Sequence, residues 1–257
     1  MIKDLVLGFS TFFEAIGFVR KHKLWYFYLF PVILSITLFW ISSEFRTVVD
    51  NYLETLIKET LGLNQVIDNG GIWDKIVSGF LYFFVTVTAF FIWFKINRYV
   101  VVILLSPLFS ILSEKTDQIL TGKNFPFSMK QLSKDVVRGV LLALKNIFLE
   151  LSIMLAGFLI AWGFPPASIV TVPLVSVAAW YYMGFSFMDY NYERRKMGVS
   201  ASSKEVWKRK GIAISNGFLF TMLAYIPIVG VVFGSIWAVV GASLAVNKED
   251  TRLITNA

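Results

Sequence analysis

Residues 153–188, IMLAGFLIAWGFPPASIVTVPLVSVAAWYYMGFSFM, contain no charged side chain. A helix needs about 20 apolar residues to cross the hydrocarbon core of a bilayer, and this run is longer than that. GFPPAS, residues 163–168, breaks the run, because two adjacent prolines cannot continue a helix. The stretch therefore reads as the upper part of a helical hairpin with a charge-free tip. A loop standing in water normally carries polar side chains. This tip either stays in or near the bilayer, covered by protein, or is a very short outer loop between two crossing helices.

Upstream, the first arm extends back to Ser128, which with Gln131 resembles a capping box. A helix over 128–162 would be about 50 Å long, more than a bilayer core. Downstream, residues 211–246 repeat the design: two apolar arms around Pro227, with the charge-free turn AYIPIVG. Gly230, Gly234, Ala238 and Ala242 recur every four residues there, a small-residue face for close helix packing. Nearer the N-terminus, 24–43 and 76–94 are long enough to cross. Trp25, Tyr26 and Trp40 stand near the ends of the first. Between them, 44–75 reads as an acidic amphipathic helix and loop. Residues 99–112 are too short to cross and are interrupted by Pro107, so they read as a half-buried segment.

Residues 1–23 carry Asp4 and Glu14 and do not read as a cleavable signal. Leu5, Phe9, Phe12, Ile16 and Val19 share one helical face, with Lys3, Asp4, Ser10, Thr11 and Glu14 opposite. This is an interfacial amphipathic helix, or a helix packed on the protein's own core. The expected fold class is an all-α integral membrane protein. Two long transmembrane helices combine with two proline-tipped, half- or fully penetrating hairpins (128–187 and 211–246) and amphipathic helices.

Composition agrees. Of 257 residues, 56% are hydrophobic and 17% aromatic, which leaves one membrane domain without a soluble one beside it. The absence of cysteine excludes disulfides, thiol catalysis and thiolate metal sites, and the single histidine, His22, has no visible catalytic or metal-binding partner. No nucleotide-binding, zinc-protease or nucleophile-elbow motif occurs, so neither an enzyme nor a cofactor is expected. The net charge of +7 suits an anionic membrane face better than nucleic acid. Segments 1–23, 95–139, 188–210 and the tail 247–257 together hold twenty of the twenty-four Lys and Arg residues. Segment 44–75 holds three against six acids. By the positive-inside rule both termini and the charged loop 188–210 are cytoplasmic.

Three constellations carry candidate chemistry. In SFMDYNYERRKMGVS (186–200), Asp189 with Arg194 and Arg195 forms either an ion-paired clasp between hairpins or a solvated charge run with Tyr190 and Tyr192 at the interface. On the long helix, Gln131, Lys134, Asp135, Arg138, Lys145, Asn146 and Ser152 fall in one broad arc, with Glu150 at its margin. This arc lines a wet path in which Lys145 and Arg138 attract an anion, or it is an interfacial entry segment with Lys145 snorkelling. RKHK (20–23), with Lys21, His22 and Lys23, is a cationic mouth to the first crossing or an anchor to anionic lipid.

With this layout, the chain resembles the CysZ sulfate-permease family, which includes the eukaryotic etoposide-induced membrane proteins. KLWYFYLFPVIL is similar to the family's first crossing, with its proline at Pro31. SPLFSILSEKTDQILTG matches a Pro-x(6)-Glu pattern through Pro107 and Glu114, and FMDYNYERRKMGVS an Asp-Tyr signature through Asp189 and Tyr190. WKRKGIAISNGF and YIPIVG match through Gly217 and Pro227. Where the family carries an Arg-Arg pair near the first crossing, this chain has Trp25 and Tyr26. The resemblance implies a passive permease for sulfate or a related inorganic anion, forming a homo-oligomer in the bacterial inner membrane without nucleotide hydrolysis. The alternative is a non-transporting accessory or scaffold protein of the same architecture that holds a membrane-protein partner.

Overall fold

The computed structural model describes residues 1–37, 103–122, 129–226 and 229–255, with isolated positions between 71 and 100. The chain divides into two compact units, Ile33–Arg98 and the remainder, Met1–Val32 with Tyr99–Ala257. Most of the smaller unit lies outside the described residues. So do most of the expected second crossing, nearly all of the acidic segment and the end of the first crossing. The described start of that first crossing is an apolar helix, Leu24–Thr37, entered through a 3-10 turn, Leu24–Tyr28. Pro227 and Ser128, with its capping box, also lie outside the described residues.

The larger unit is helical, with no strand among its described residues. Its helices are α1 (Ile2–Lys21), α2 (Ser106–Thr121), α3 (Met129–Gly163), α4 (Ser168–Arg194), α5 (Val199–Lys208), α6 (Lys210–Ala224) and α7 (Ser235–Thr255). A 3-10 turn, Pro165–Ala167, joins α3 to α4 at the GFPPAS break. A π-helical turn, Gly230–Gly234, leads into α7. Pro107, expected to interrupt its segment, instead opens α2 from the first turn, where a missing N–H costs nothing. The helix runs on past the expected end at 112 to Thr121 and stops at Gly122, whose φ of 69° needs no side chain.

Among the described residues, three segments are long and apolar enough to cross a membrane: Ser133–Gly163, Pro165–Arg194 and Gly230–Arg252. They overlap the segments read as hairpins, the last two running past the expected ends at 187 and 246. The first two are only 22% buried within the protein, and the third is 78% buried. Thus α7 is the axis, while α3 and α4 form a projecting hairpin. Leu141, Phe148, Leu155, Trp162, Ile169 and Leu174 on that hairpin are each more than half exposed. So much contiguous apolar surface is stable against lipid or another membrane-embedded helix and not in water. The protein is an all-α membrane protein.

Small residues set how closely the helices meet. A Cβ on Gly184 would overlap the carbonyl oxygen of Ala213. One on Gly217 would overlap the Trp180 carbonyl and come within 2.7 Å of the Gly184 amide nitrogen. The backbones of α4 and α6 therefore touch, and among the described residues this is the most extensive helix pair. The Gly230 face works the same way. A Cβ on Gly230 would overlap Ala224, and one on Gly234 would lie 3.3 Å from the Leu223 Cβ. Ala238 and Ala242 are fully buried.

The same factor rotates the inner face of α1 away from its expected position. Its buried residues are Gly8, Thr11, Phe12, Ala15 and Val19, against α6 and α7. Thr11, expected on the polar side, is fully buried, while Ile16, Val6 and Phe13 are exposed. Hydrophobicity alone located the face by its largest residues. Packing located it by its smallest, which let two helices approach.

Candidate functional site

At the base of the projecting hairpin, α2, α3, α4, α5 and α7 converge on a buried network of charges. Arg138 on α3 grips Asp189 on α4 with two nitrogens, Nε to Oδ2 at 3.0 Å and Nη2 to Oδ1 at 2.9 Å. Such a bidentate pair is the strongest common form of charged hydrogen bond. Arg138 Nη1 also donates to the Met197 carbonyl, and the Ser202 hydroxyl donates to Asp189. Glu193 Oε1 stands 3.7 Å from Arg138 Nε. One helical turn separates Asp189 from Glu193, so both face α3.

Neighbouring pairs extend the network. Arg194 Nη1 donates to Glu114 at 2.8 Å, and its Nη2 donates to the Ser110 carbonyl. The Ser110 hydroxyl donates to Asp135 at 3.1 Å, and Gln131 donates to the same carboxylate. Arg195 and Arg209 share Asp250 on α7. Asn247 donates to Asp117 at 2.6 Å. Tyr190 is buried beside them, its ring edge-on to Phe109 at 5.9 Å.

The charged stretch 186–200 is ion-paired and not a free solvated run, but the Asp189 pair ties the two arms of one hairpin, and the expected pairing is corrected. Asp189 is held by Arg138, not by Arg194 or Arg195, which bind Glu114 and Asp250 instead. The reason is helical geometry. Because α4 continues to Arg194, that residue lies five positions from Asp189 and points about 140° away from it. Arg138 is likewise corrected as an anion donor, since its guanidinium already closes the clasp. Four arginines (138, 194, 195 and 209) here meet six carboxylates (Glu114, Asp117, Asp135, Asp189, Glu193 and Asp250), so the network has no spare positive charge to offer an anion. Its chemistry is to lock helix to helix. Among the described residues, no group of three or more His, Asp or Glu side chains is arranged to hold a metal.

The polar arc on α3 divides between two faces. Asp135, Asn146 and Glu150 are buried. The Asn146 amide donates to the Tyr182 carbonyl at 3.2 Å and to the Ser186 hydroxyl at 3.0 Å. Lys134, Lys145 and Ser152 are exposed on the outer face. Adjacent positions on an α-helix point about 100° apart, so Lys145 and Asn146 cannot share a lining. The cationic mouth is also on the surface. Lys21 and Lys23 are exposed, and His22 is half-buried with its ring 4.4 Å from that of Phe18. Trp25 and Tyr26 are exposed beside them, while Leu24 and Phe27 anchor the turn inward. Tyr28 accepts from the Trp237 indole at 2.8 Å, and Pro31 is buried.

Sequence reasoning named Arg138, Asp189, Glu114, Arg194 and Arg195. It missed Ser110, Ser202, Arg209, Asp117, Asn247 and Asp250 as partners, because no local pattern marks a residue whose mate lies on another helix, from 13 to 130 positions away.

A helical unit with apolar segments of spanning length, its helices tied together by buried charges, defines an all-α membrane protein. The chain belongs to the family described as sulfate transporter CysZ/etoposide-induced protein 2.4, whose model matches residues 11–234. That match takes in the Asp189–Tyr190 signature, Pro107, Glu114 and the Gly217 crossing.

Proposed function

We propose that the protein is a passive permease for sulfate or a related inorganic anion, acting as a homo-oligomer in the bacterial inner membrane with both termini cytoplasmic. One observation carries this reading: Lys145 is a cation without an acid partner among the described residues, on the exposed face of a helix of spanning length. Ser152 lies two turns farther along the same face. An ionisable group within a helix of spanning length is by default read as part of an ion path. In an oligomer, this row from adjacent copies lines a polar seam and offsets part of the dehydration cost of an anion.

The geometry also supports different depths for the two hairpins. The Asn146–Tyr182 contact places Lys145 level with Tyr181 and Tyr182, an interfacial aromatic pair. From Lys145 to Phe164 at the tip is about 28 Å of helix, nearly one hydrocarbon thickness. Gly217 lies against Trp180, and from there α6 runs only about 12 Å to Tyr225. The first hairpin thus reaches almost across the bilayer and the second about half way. Orientation follows from labelling single cysteines at Asn64, Ser128 and Ser200 from the periplasm of intact cells. Only Asn64→Cys reacts if the orientation is right; labelling of Ser200→Cys reverses it.

In proteoliposomes, radiolabelled sulfate should enter down its gradient without ATP. Lys145→Ala should slow entry on the order of tenfold, the effect of one unit charge about 10 Å from the ion at an effective dielectric near 20. Lys23→Ala should slow it less, because Arg20 and Lys21 stand beside it. The exposed Trp25 and Tyr26 favour the second reading, a scaffold or accessory protein, since neither replaces a guanidinium as an anion donor. Entry no faster than into empty liposomes, from a folded and oligomeric preparation, selects that reading over the permease.

A further inference from the structure

The short helix α5 has two unlike faces. Inward, Val206 is fully buried and Ser202 bonds to Asp189 in the clasp. Outward, Ser200, Ala201, Lys204, Trp207 and Lys208 form one exposed helical row. The Trp207 side chain is 59% exposed. Its ring stands edge-on to Tyr181 at 5.7 Å, and the Lys210 ammonium lies 4.5 Å from its centroid. Tyr181 belongs to α4, about 20 Å of helix from the Arg194 end. The indole is thus held against the wall of a spanning helix, where the charged base gives way to the charge-free run.

The charges around it are of a particular kind. The arginines nearby are engaged: Arg194 with Glu114, Arg195 and Arg209 with Asp250. The lysines nearby make no ion pair to another helix among the described residues. Lys196 and Lys204 make no ion pair among the described residues, Lys210 meets only the Trp207 ring, and exposed Lys208 pairs with Glu205 on its own helix. Flexible cationic stems around a boundary indole match a layer of phosphodiester headgroups above acyl chains. A second observation points the same way. At the other end of α5, between Val199 and α3, lies a surface depression of about 380 Å³. Its lining is Val137, Leu141 and Val199 with Ser133, Lys134 and Arg138, and Lys134 makes no ion pair among the described residues. An acyl chain fits such a floor; an acidic protein surface does not.

We propose that the outer face of α5, through Lys204, Trp207, Lys208 and Lys210, binds the headgroups of anionic phospholipid. Because Ser202 on the same helix closes onto Asp189, lipid bound there also steadies the base of the hairpin.

The full-length protein in mild detergent is titrated with phosphatidylglycerol or phosphatidylcholine, and melting temperature and lipid retention by native mass spectrometry are followed. Phosphatidylglycerol should be retained preferentially and raise the melting temperature more than phosphatidylcholine. The variant K204Q/K208Q/K210Q should melt like wild type in phosphatidylcholine yet lose most of the preference, each lysine contributing about fivefold in affinity. Removing three lysines elsewhere, as K3Q/K115Q/K248Q, should leave it largely intact. Equal retention of both lipids by wild type overturns the proposal, as does an undiminished preference in the α5 variant or an equal loss in the control variant. A stabilisation by sulfate alone that the α5 variant loses makes this a free-anion site and overturns the lipid assignment; one that both proteins keep belongs to a different site.

Discussion

Asp189→Ala should lower the melting temperature of the detergent-solubilised protein by on the order of 10 °C. The aspartate is 3% exposed and accepts both nitrogens of a guanidinium that is itself mostly covered. Removing one partner of a buried pair leaves the other charge unpaired in a poor solvent, at a cost of about 3–5 kcal/mol. For a chain of this size each kcal/mol corresponds to roughly 2–4 °C. Glu193, at 3.7 Å from Arg138, recovers part of the loss, while Ser202 loses its acceptor. The double variant Arg138→Ala with Asp189→Ala should be less destabilised than the sum of the two single variants, because neither member of the pair is left without the other. Additive losses or an unchanged melting temperature would show that the pair is solvent-screened and worth ~0–1 kcal/mol.

An even larger effect is expected at the α4–α6 crossing. Gly217→Val puts a branched side chain where a Cβ already overlaps the Trp180 carbonyl oxygen. The colliding atoms belong to backbone on both sides, so no rotamer change relieves them and the helices must separate. Because this is the most extensive helix pair among the described residues, separation loosens the whole larger unit. The variant should fail to accumulate in the membrane, or elute as aggregate on size exclusion. Gly17→Ala supplies the contrast, since nothing lies within 4 Å of its added Cβ. There, better helix propensity should raise stability by roughly 0.5–1 kcal/mol. A monodisperse Gly217→Val protein with wild-type stability would mean that α4 and α6 do not touch at this point.

Much of the architecture was legible in the sequence because it depends on local quantities. The charge-free run from 153 to 188 and the GFPPAS break read as a membrane hairpin, and the helices meet at that break, although the second continues past the run to Arg194. The clasp was legible only in part. Asp189 stood out as an acid at the end of an apolar run, but its nearest arginines in sequence were the wrong partners. How far α4 extends decides which way each side chain points, and α4 extends through the charged segment to Arg194. Likewise the arc on α3 read as one stripe because hydropathy cannot tell a face turned to α4 from one turned outward.

What the sequence by itself determined is the solvent of this protein, its class and its family, all of which follow from hydropathy summed along the chain and from motifs in order. What only the tertiary structure decided is pairing: Arg138 with Asp189 across 51 positions, Arg194 with Glu114 across 80, and Asn247 with Asp117 across 130. Hydrophobic transfer is additive over residues and can be read one at a time. An ion pair forms only when the register of two helices brings its atoms within about 3 Å, and that register is set here by glycines at the crossings.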